Sequence, residues 1–392
     1  MKSSLRFQVL VFTLTRVVLN TMHRMIYPFL AVFARGLGVD LAALGLAVTA
    51  RSLLGSFGPF LAAVADSRGR KVGMLLGIAL FVSGTGIVAF WPTYPSFVLA
   101  LVLAMLGKYV FDPSMQAYLG DRVPYQRRGR VLAITEYGWS LSFIFGIPLV
   151  GFLIARGGWM APFPLFALLG SVSFLVLLWM LPRDPDPKPD QPKFWANLRT
   201  VLTFTPALLG LSVNIMMSSA NEVINLVFGV WMEDTFGLKI AALGLAAAVI
   251  GFSELGGETL SAGLTDRLGK TTAVAIGLIL NSLAALLLPI LGTTIPGALV
   301  GLFLFYIAFE FSIVSAIPLM TEILPEARAT LMAANVASHS LGRALGALLA
   351  AALYTVGQSY PWMHGILANV MVALLFNLFA LIALYFLRRH IR

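Results

Sequence analysis

The chain is 392 residues long, 59% hydrophobic and only 11% charged, with a mean hydropathy of +0.90, a balance that excludes a soluble globular protein and leaves lipid as the expected solvent. A bilayer core takes about 20 apolar residues per helix, so the length allows about a dozen spans with short loops and no sizeable soluble domain. The formal net charge is +10 and there is no cysteine, which excludes disulfides, thiolate metal sites and thiol chemistry.

The first apolar stretch follows Met1-Lys2-Ser3-Ser4-Leu5-Arg6 and has the outline of a signal peptide. Arg16, Asn20, His23 and Arg24 interrupt it, however, so it reads as a retained first helix. Apolar runs bounded by glycine, proline and charge predict an all-α polytopic membrane protein with helices over 7–34, 42–64, 73–91, 96–119, 131–155, 162–181, 203–231, 241–264, 272–291, 297–320, 331–355 and 364–387. With the N-terminus inside, the inner loops and tails carry 19 of the 27 cations and the outer loops only Arg35, Arg156 and Lys239. The positive-inside rule then predicts that both termini are cytoplasmic, and the short loops and termini suggest a bacterial inner membrane. Cations scattered over separate loops suit anionic lipid headgroups as partners and exclude nucleic acid.

Between the sixth and seventh helices, Pro182-Arg183-Asp184-Pro185-Asp186-Pro187-Lys188-Pro189-Asp190-Gln191-Pro192 must be extended. It divides the chain into an N-terminal six-helix half (1–181), a cytoplasmic linker (182–202) and a C-terminal six-helix half (203–392). The halves repeat at an offset near 200 residues. Asp66-x-x-Gly69-Arg70 pairs with Asp266-x-x-Gly269-Lys270, and Gly77 with Gly277. Ala42-Ala43-Leu44-Gly45-Leu46 returns as Ala241-Ala242-Leu243-Gly244-Leu245, and Asp121-x-x-Pro124-x-x-Arg127 as Glu322-x-x-Pro325-x-x-Arg328. Two such halves about an axis along the membrane normal form the architecture in which they rock about a midplane site.

Asp66-Ser67-Arg68-Gly69-Arg70-Lys71 resembles the signature loop between the second and third helices of the major facilitator superfamily. Ala62 stands where the family usually has glycine, and Ser67 where it often has a cation. By that resemblance Asp66, Gly69, Arg70, Asp121, Arg128 and the repeat-related Asp266 would latch the cytoplasmic side. The alternative is that the cations of this loop only set topology. Gly138, Gly146, Pro148 and Gly151 in the fifth helix are similar to a loosened form of the motif of the family's drug/proton antiporters, which implies export.

Ionisable groups within the membrane cost about 2.5–3.5 kcal/mol each and are expected to line a central cavity. Arg16, Asn20, His23, Arg24 and Tyr27 follow spacings of 0, 4, 7, 8 and 11, an arc of about 100° on a helix. Asn214, Ser218, Asn221, Glu222 and Asn225 repeat those spacings on the seventh helix, so that Arg24 corresponds to Glu222. The two could form a structural ion pair or a coupling pair. Arg51 and Arg343 join the substrate-cavity candidates. Glu222, then Glu254 and Glu310, are the proton-coupling candidates, and Glu258 with Glu254 places like charges on one face. Lys108 and Asp112, at i and i+4, are expected to pair; Glu136 is a further intramembrane charge. His339, four residues before Arg343 and near Asn335, reads as a hydrogen-bonded packing residue more readily than as a proton relay. Tryptophans and tyrosines at the predicted outer ends, such as Trp91, Trp159 and Trp231, read as interfacial anchors.

No metal-ligand spacing, phosphate-cradling glycine loop or nucleophile–base pair stands out, so neither cofactor nor enzymatic activity is expected. The expectation is a monomeric secondary transporter, working by alternating access, that exchanges protons for an amphipathic organic solute or drug. The alternatives are uptake or exchange of a small organic anion, translocation of an acidic lipid, and a non-transporting receptor on the same fold.

Overall fold

The computed structural model describes residues 4–58, 60, 69–182, 194–359 and 365–391, and their side chains except those of 125–130, 133, 194, 195 and 329. Every regular element among these residues is helical, and the helices fall on the twelve expected spans. The first is Leu5–Arg24 continued by Leu30–Leu37, and the second is regular over Leu41–Gly55. The third, fourth and sixth are Arg70–Phe90, Tyr94–Arg122 and Pro162–Met180; the fifth is Tyr125–Leu141 and Ile147–Gly157 joined by a π-helical turn, Ser142–Gly146. The seventh is Thr205–Asn225 continued by Phe228–Phe236, and the eighth to twelfth are Ile240–Leu268, Lys270–Leu291, Ile295–Ile323, Arg328–Ser359 and Leu367–Ile391.

Ten of the spans are long and apolar enough to cross a bilayer by themselves. The first falls short because it is broken and carries the polar stripe. The chain turns through 111° between Leu30–Leu37 and Leu41–Gly55. That bend lies at Gly38, whose φ of 67° is left-handed, so it joins two spans and does not kink one.

Local chemistry sets the ends. Thr93 and Ser96 form a reciprocal capping box at the start of the fourth span, and Thr294 caps the tenth by accepting from the Gly297 amide at 3.2 Å. Each cap is followed by a proline at the second helical position, where no N–H is needed. The break in the first span contains Pro28, which has no N–H to continue the ladder. In the seventh the break has no proline, and the Val227 amide turns to the Ile224 carbonyl three residues back at 3.1 Å. The proline-rich segment 183–193 lies outside the described residues. The end of the expected linker is a helix, Phe194–Thr203, because the prolines stop at Pro192 and Leu198, Val201 and Leu202 return to helical spacing; Val201 is buried.

The chain clusters into two compact units, 1–40 with 57–189 and 240–248, and 41–56 with 190–239 and 249–392. These depart from the halves 1–181 and 203–392 at the repeated Ala-Ala-Leu-Gly-Leu segments. In the second unit Gly45 lets the second span approach the eleventh until a methyl group there would lie 3.3 Å from the Ala347 carbonyl oxygen. In the first unit Gly244 places the eighth span equally close, 3.2 Å, to the Ile147 carbonyl oxygen of the fifth. Close backbone approach through small residues is the general means of packing helices in lipid. The first unit is further filled by Phe33, Phe97, Phe163 and Trp159, whose ring centroids lie 5.0–6.5 Å apart. The core of the second centres on Leu211, Met217, Leu278, Leu319, Met320 and Leu384.

Candidate functional site

In the first unit the polar stripe of the first span lies against the fifth. Arg16 Nη1 donates to the Thr135 carbonyl at 2.8 Å, Asn20 Nδ2 to the Gly138 carbonyl at 3.0 Å and Arg24 Nη1 to the Trp139 carbonyl at 3.1 Å. Gly138 makes this possible, since a methyl group there would stand 2.8 Å from the Arg16 Cβ. The Arg24 guanidinium lies over two rings of the fifth span, 4.1 Å from the Trp139 centroid and 3.5 Å from that of Phe143. His23 is buried with its ring 6.1 Å from Trp139, and Tyr27 is buried in the break of the first span.

One turn away, four charges meet. Arg16 holds Glu136 through two contacts, Nη1 to Oε1 at 2.7 Å and Nη2 to Oε2 at 2.9 Å, and its Nε lies 3.2 Å from Asp112 Oδ1. The other Asp112 oxygen takes the Lys108 ammonium at 2.5 Å, the expected i,i+4 pair. Gln116 Nε2 donates to Glu136 Oε1 at 3.4 Å. Two cations thus offset two carboxylates, the condition under which charges survive burial.

In the second unit the seventh and eleventh spans meet in the corresponding way. Asn214 Nδ2 donates to Asn335 Oδ1, Ser218 Oγ pairs with His339 Nδ1 at 2.8 Å, and Ser219 Oγ donates to the Gly342 carbonyl at 3.0 Å. Gly346 packs on Glu222, where a methyl group would come within 2.6 Å of the Glu222 Cβ. Asn225 Nδ2 donates to Glu222 Oε2 at 3.3 Å, and the Tyr306 hydroxyl donates to Asn225 Oδ1 at 2.7 Å. A carboxylate, an amide and a phenol therefore link the seventh span to the tenth. Asn221, Arg51, Glu254 and Glu310 are buried in this unit and Arg343 is half-buried. Glu310 stacks on Gly257 of the eighth span, 2.6 Å from where a methyl group there would be.

At the predicted cytoplasmic ends, the repeated loops place equivalent pairs. Arg70 Nε lies 3.5 Å from Asp121 Oδ2 in the first unit, and Lys270 pairs with Glu322 in the second. Gly69 and Gly269 precede them with φ of 99° and 81°, conformations that favour glycine. Lys71 donates to the Leu178 and Leu181 carbonyls at 2.7 Å each, closing the end of the sixth span. Asp266 is exposed, while Asp66 and the Arg128 side chain lie outside the described residues. No group of three or more His, Cys, Asp or Glu that could hold a metal ion occurs among the described residues.

Sequence reasoning placed the stripes on single faces but missed Tyr306 and Trp139. A tyrosine or tryptophan among many membrane aromatics carries no signal of its own. Glu136 was visible as an intramembrane charge, but its pairing with Arg16, 120 residues away, was not.

The sequence profile of the Major Facilitator Superfamily matches residues 12–220 and 207–392. The chain is 25% identical over 355 residues to the inner membrane transport protein YdhP of Escherichia coli strain K12, covering 88% of this chain and 89% of that one. It is 28% identical over 359 residues to a chloramphenicol resistance protein of Streptomyces lividans, covering 87% and 90%. Its fold matches the crystal structure of a D-xylose-proton symporter with a TM-score of 0.78, at 18% identity and over 98% and 97% of the two chains. A profile matched over residues 12–220 and 207–392 of a helical chain shows that this protein belongs to the major facilitator superfamily and is a polytopic membrane transporter.

Proposed function

We propose that the protein is a proton-coupled exporter of an amphipathic organic solute, working by alternating access, with Glu222 as the group that exchanges a proton for the solute. The observation that carries this reading is the position of Glu222: 1% exposed, within the seventh span, and joined through Asn225 to Tyr306. A carboxylate at such depth is costly when charged, and Asn225, itself held by the Tyr306 hydroxyl, orients it by donating to Oε2. Glu254 and Glu310, buried in the same unit, are the next candidates. Export is supported by the resemblance of the fifth span to the antiporter motif and by the chloramphenicol resistance protein among the relatives. The Arg70–Asp121 and Lys270–Glu322 pairs act as the cytoplasmic latch, and both termini lie in the cytoplasm of a cell membrane.

The test is proton-gradient-driven transport in everted vesicles, with a panel of amphipathic solutes. Glu222→Gln keeps the shape of the side chain and removes its titration. It is expected to abolish gradient-driven accumulation while leaving the melting temperature in detergent near that of the parent. Undiminished accumulation would sink the assignment.

A further inference from the structure

The four-charge cluster of the first, fourth and fifth spans has no part in that coupling scheme, and its geometry is that of an occupied carboxylate receptor. Arg16 Nη2 donates to Glu136 Oε2 at 2.9 Å, and Nη1, which donates to the Thr135 carbonyl at 2.8 Å, lies 2.7 Å from Glu136 Oε1. This fork matches any carboxylate in the same way.

The members are unequally placed. The side chains of Arg16, Lys108 and Asp112 are 4%, 13% and 16% exposed, whereas that of Glu136 is 44% exposed and has the exposed Gln116 beside it. An accessible carboxylate within a span faces water in preference to hydrocarbon, so Glu136 is the member that a solute can reach and replace. Asp112 is committed to Lys108 as well as to Arg16. Neutralising Glu136 alone would leave two cations sharing one anion in a largely desolvated site, which is unfavourable unless another anion arrives.

We propose that the Arg16 fork is a binding site for the carboxylate of an amphipathic organic acid, with Glu136 as its resident occupant. A proton from solution adds to the Glu136 carboxylate, and the solute carboxylate takes over the contacts to Nη1 and Nη2. No covalent bond to the solute forms, and the site keeps two positive and two negative charges throughout. This names a solute class for the transporter and rests on its being one; it does not rest on Glu222, which belongs to the other unit.

The experiment uses the full chain purified in detergent, with benzoate as the probe and benzamide as its uncharged counterpart. Binding is followed by calorimetry, and proton uptake by an indicator dye in weak buffer. Benzoate is expected to bind with uptake of one proton more per molecule in the parent than in Glu136→Gln, and benzamide to bind the parent about tenfold more weakly. Glu136→Gln should still bind benzoate, and Arg16→Lys should lose about tenfold in affinity. Absence of benzoate binding, or equal proton counts in the parent and Glu136→Gln, overturns the proposal. If Arg16→Lys does not fold, that difference in proton count decides alone. The difference is independent of any proton exchanged at Glu222, whose assignment is read by gradient-driven accumulation, so the two failures are distinguished.

Discussion

At Gly138 the fifth span comes so near the first that an added methyl group would lie 2.8 Å from the Arg16 Cβ and 3.1 Å from the Thr13 carbonyl oxygen. Neither neighbour is the loose end of a flexible side chain, so the helices themselves would have to part. Gly138→Val is therefore expected to destabilise the protein by about 1–3 kcal/mol, the usual penalty of overpacking. Gly120, with nothing within 4 Å of such a methyl group, supplies the control: Gly120→Ala should melt with the parent. Thermal unfolding in detergent compares them, and equal melting of Gly138→Val would show that the contact is not tight. That Arg16, Asn20 and Arg24 share a face could be read from their spacing. That they are bound to the carbonyls of Thr135, Gly138 and Trp139 could not, since a backbone carbonyl carries no mark in the sequence.

Helix periodicity reaches only as far as one element, and the Lys108–Asp112 pair shows both its reach and its limit. Spacing predicts the pair, and the 2.5 Å contact agrees. Spacing says nothing of Arg16 and Glu136, which convert a local pair into a four-charge network. Removing one partner from a buried pair costs about 3–5 kcal/mol because it strands the other. Lys108→Met and Asp112→Asn should each destabilise strongly, whereas the double variant leaves Arg16 matched by Glu136 and should lie nearer the parent than either single change. A double-mutant cycle on the unfolding midpoint measures this coupling; additive losses would mean that the charges act independently. The same limit explains the fifth span. Pro148 announces a disturbance there, since it cannot donate to the turn before it, but the π-helical form of Ser142–Gly146 depends on packing against the first span, where Gly146 meets Thr21.

For the whole molecule, hydropathy and cation placement carry the topology. The chain has no cysteine, so single cysteines can be labelled without background. Lys239→Cys, exposed at a predicted outer turn, should react with a membrane-impermeant maleimide in intact cells; Arg388→Cys, exposed near the C-terminus, should react only after permeabilisation. The reverse pattern would invert the predicted orientation.

Composition and the apolar runs by themselves determined the helical, membrane-spanning class. Transfer to lipid depends on the average character of about 20 consecutive residues, and such an average is a property of sequence alone. The repeat at an offset near 200 likewise announced twin loops, but not that Arg70 meets Asp121 and Lys270 meets Glu322. Tertiary structure decided which spans touch at Gly45 and Gly244 and that Arg16 finds Glu136. Those outcomes depend on interactions between residues 100 or more positions apart, such as Arg16 and Glu136. In lipid, apolar helices gain no hydrophobic free energy by meeting one another, so small-residue contacts and buried polar groups choose their neighbours.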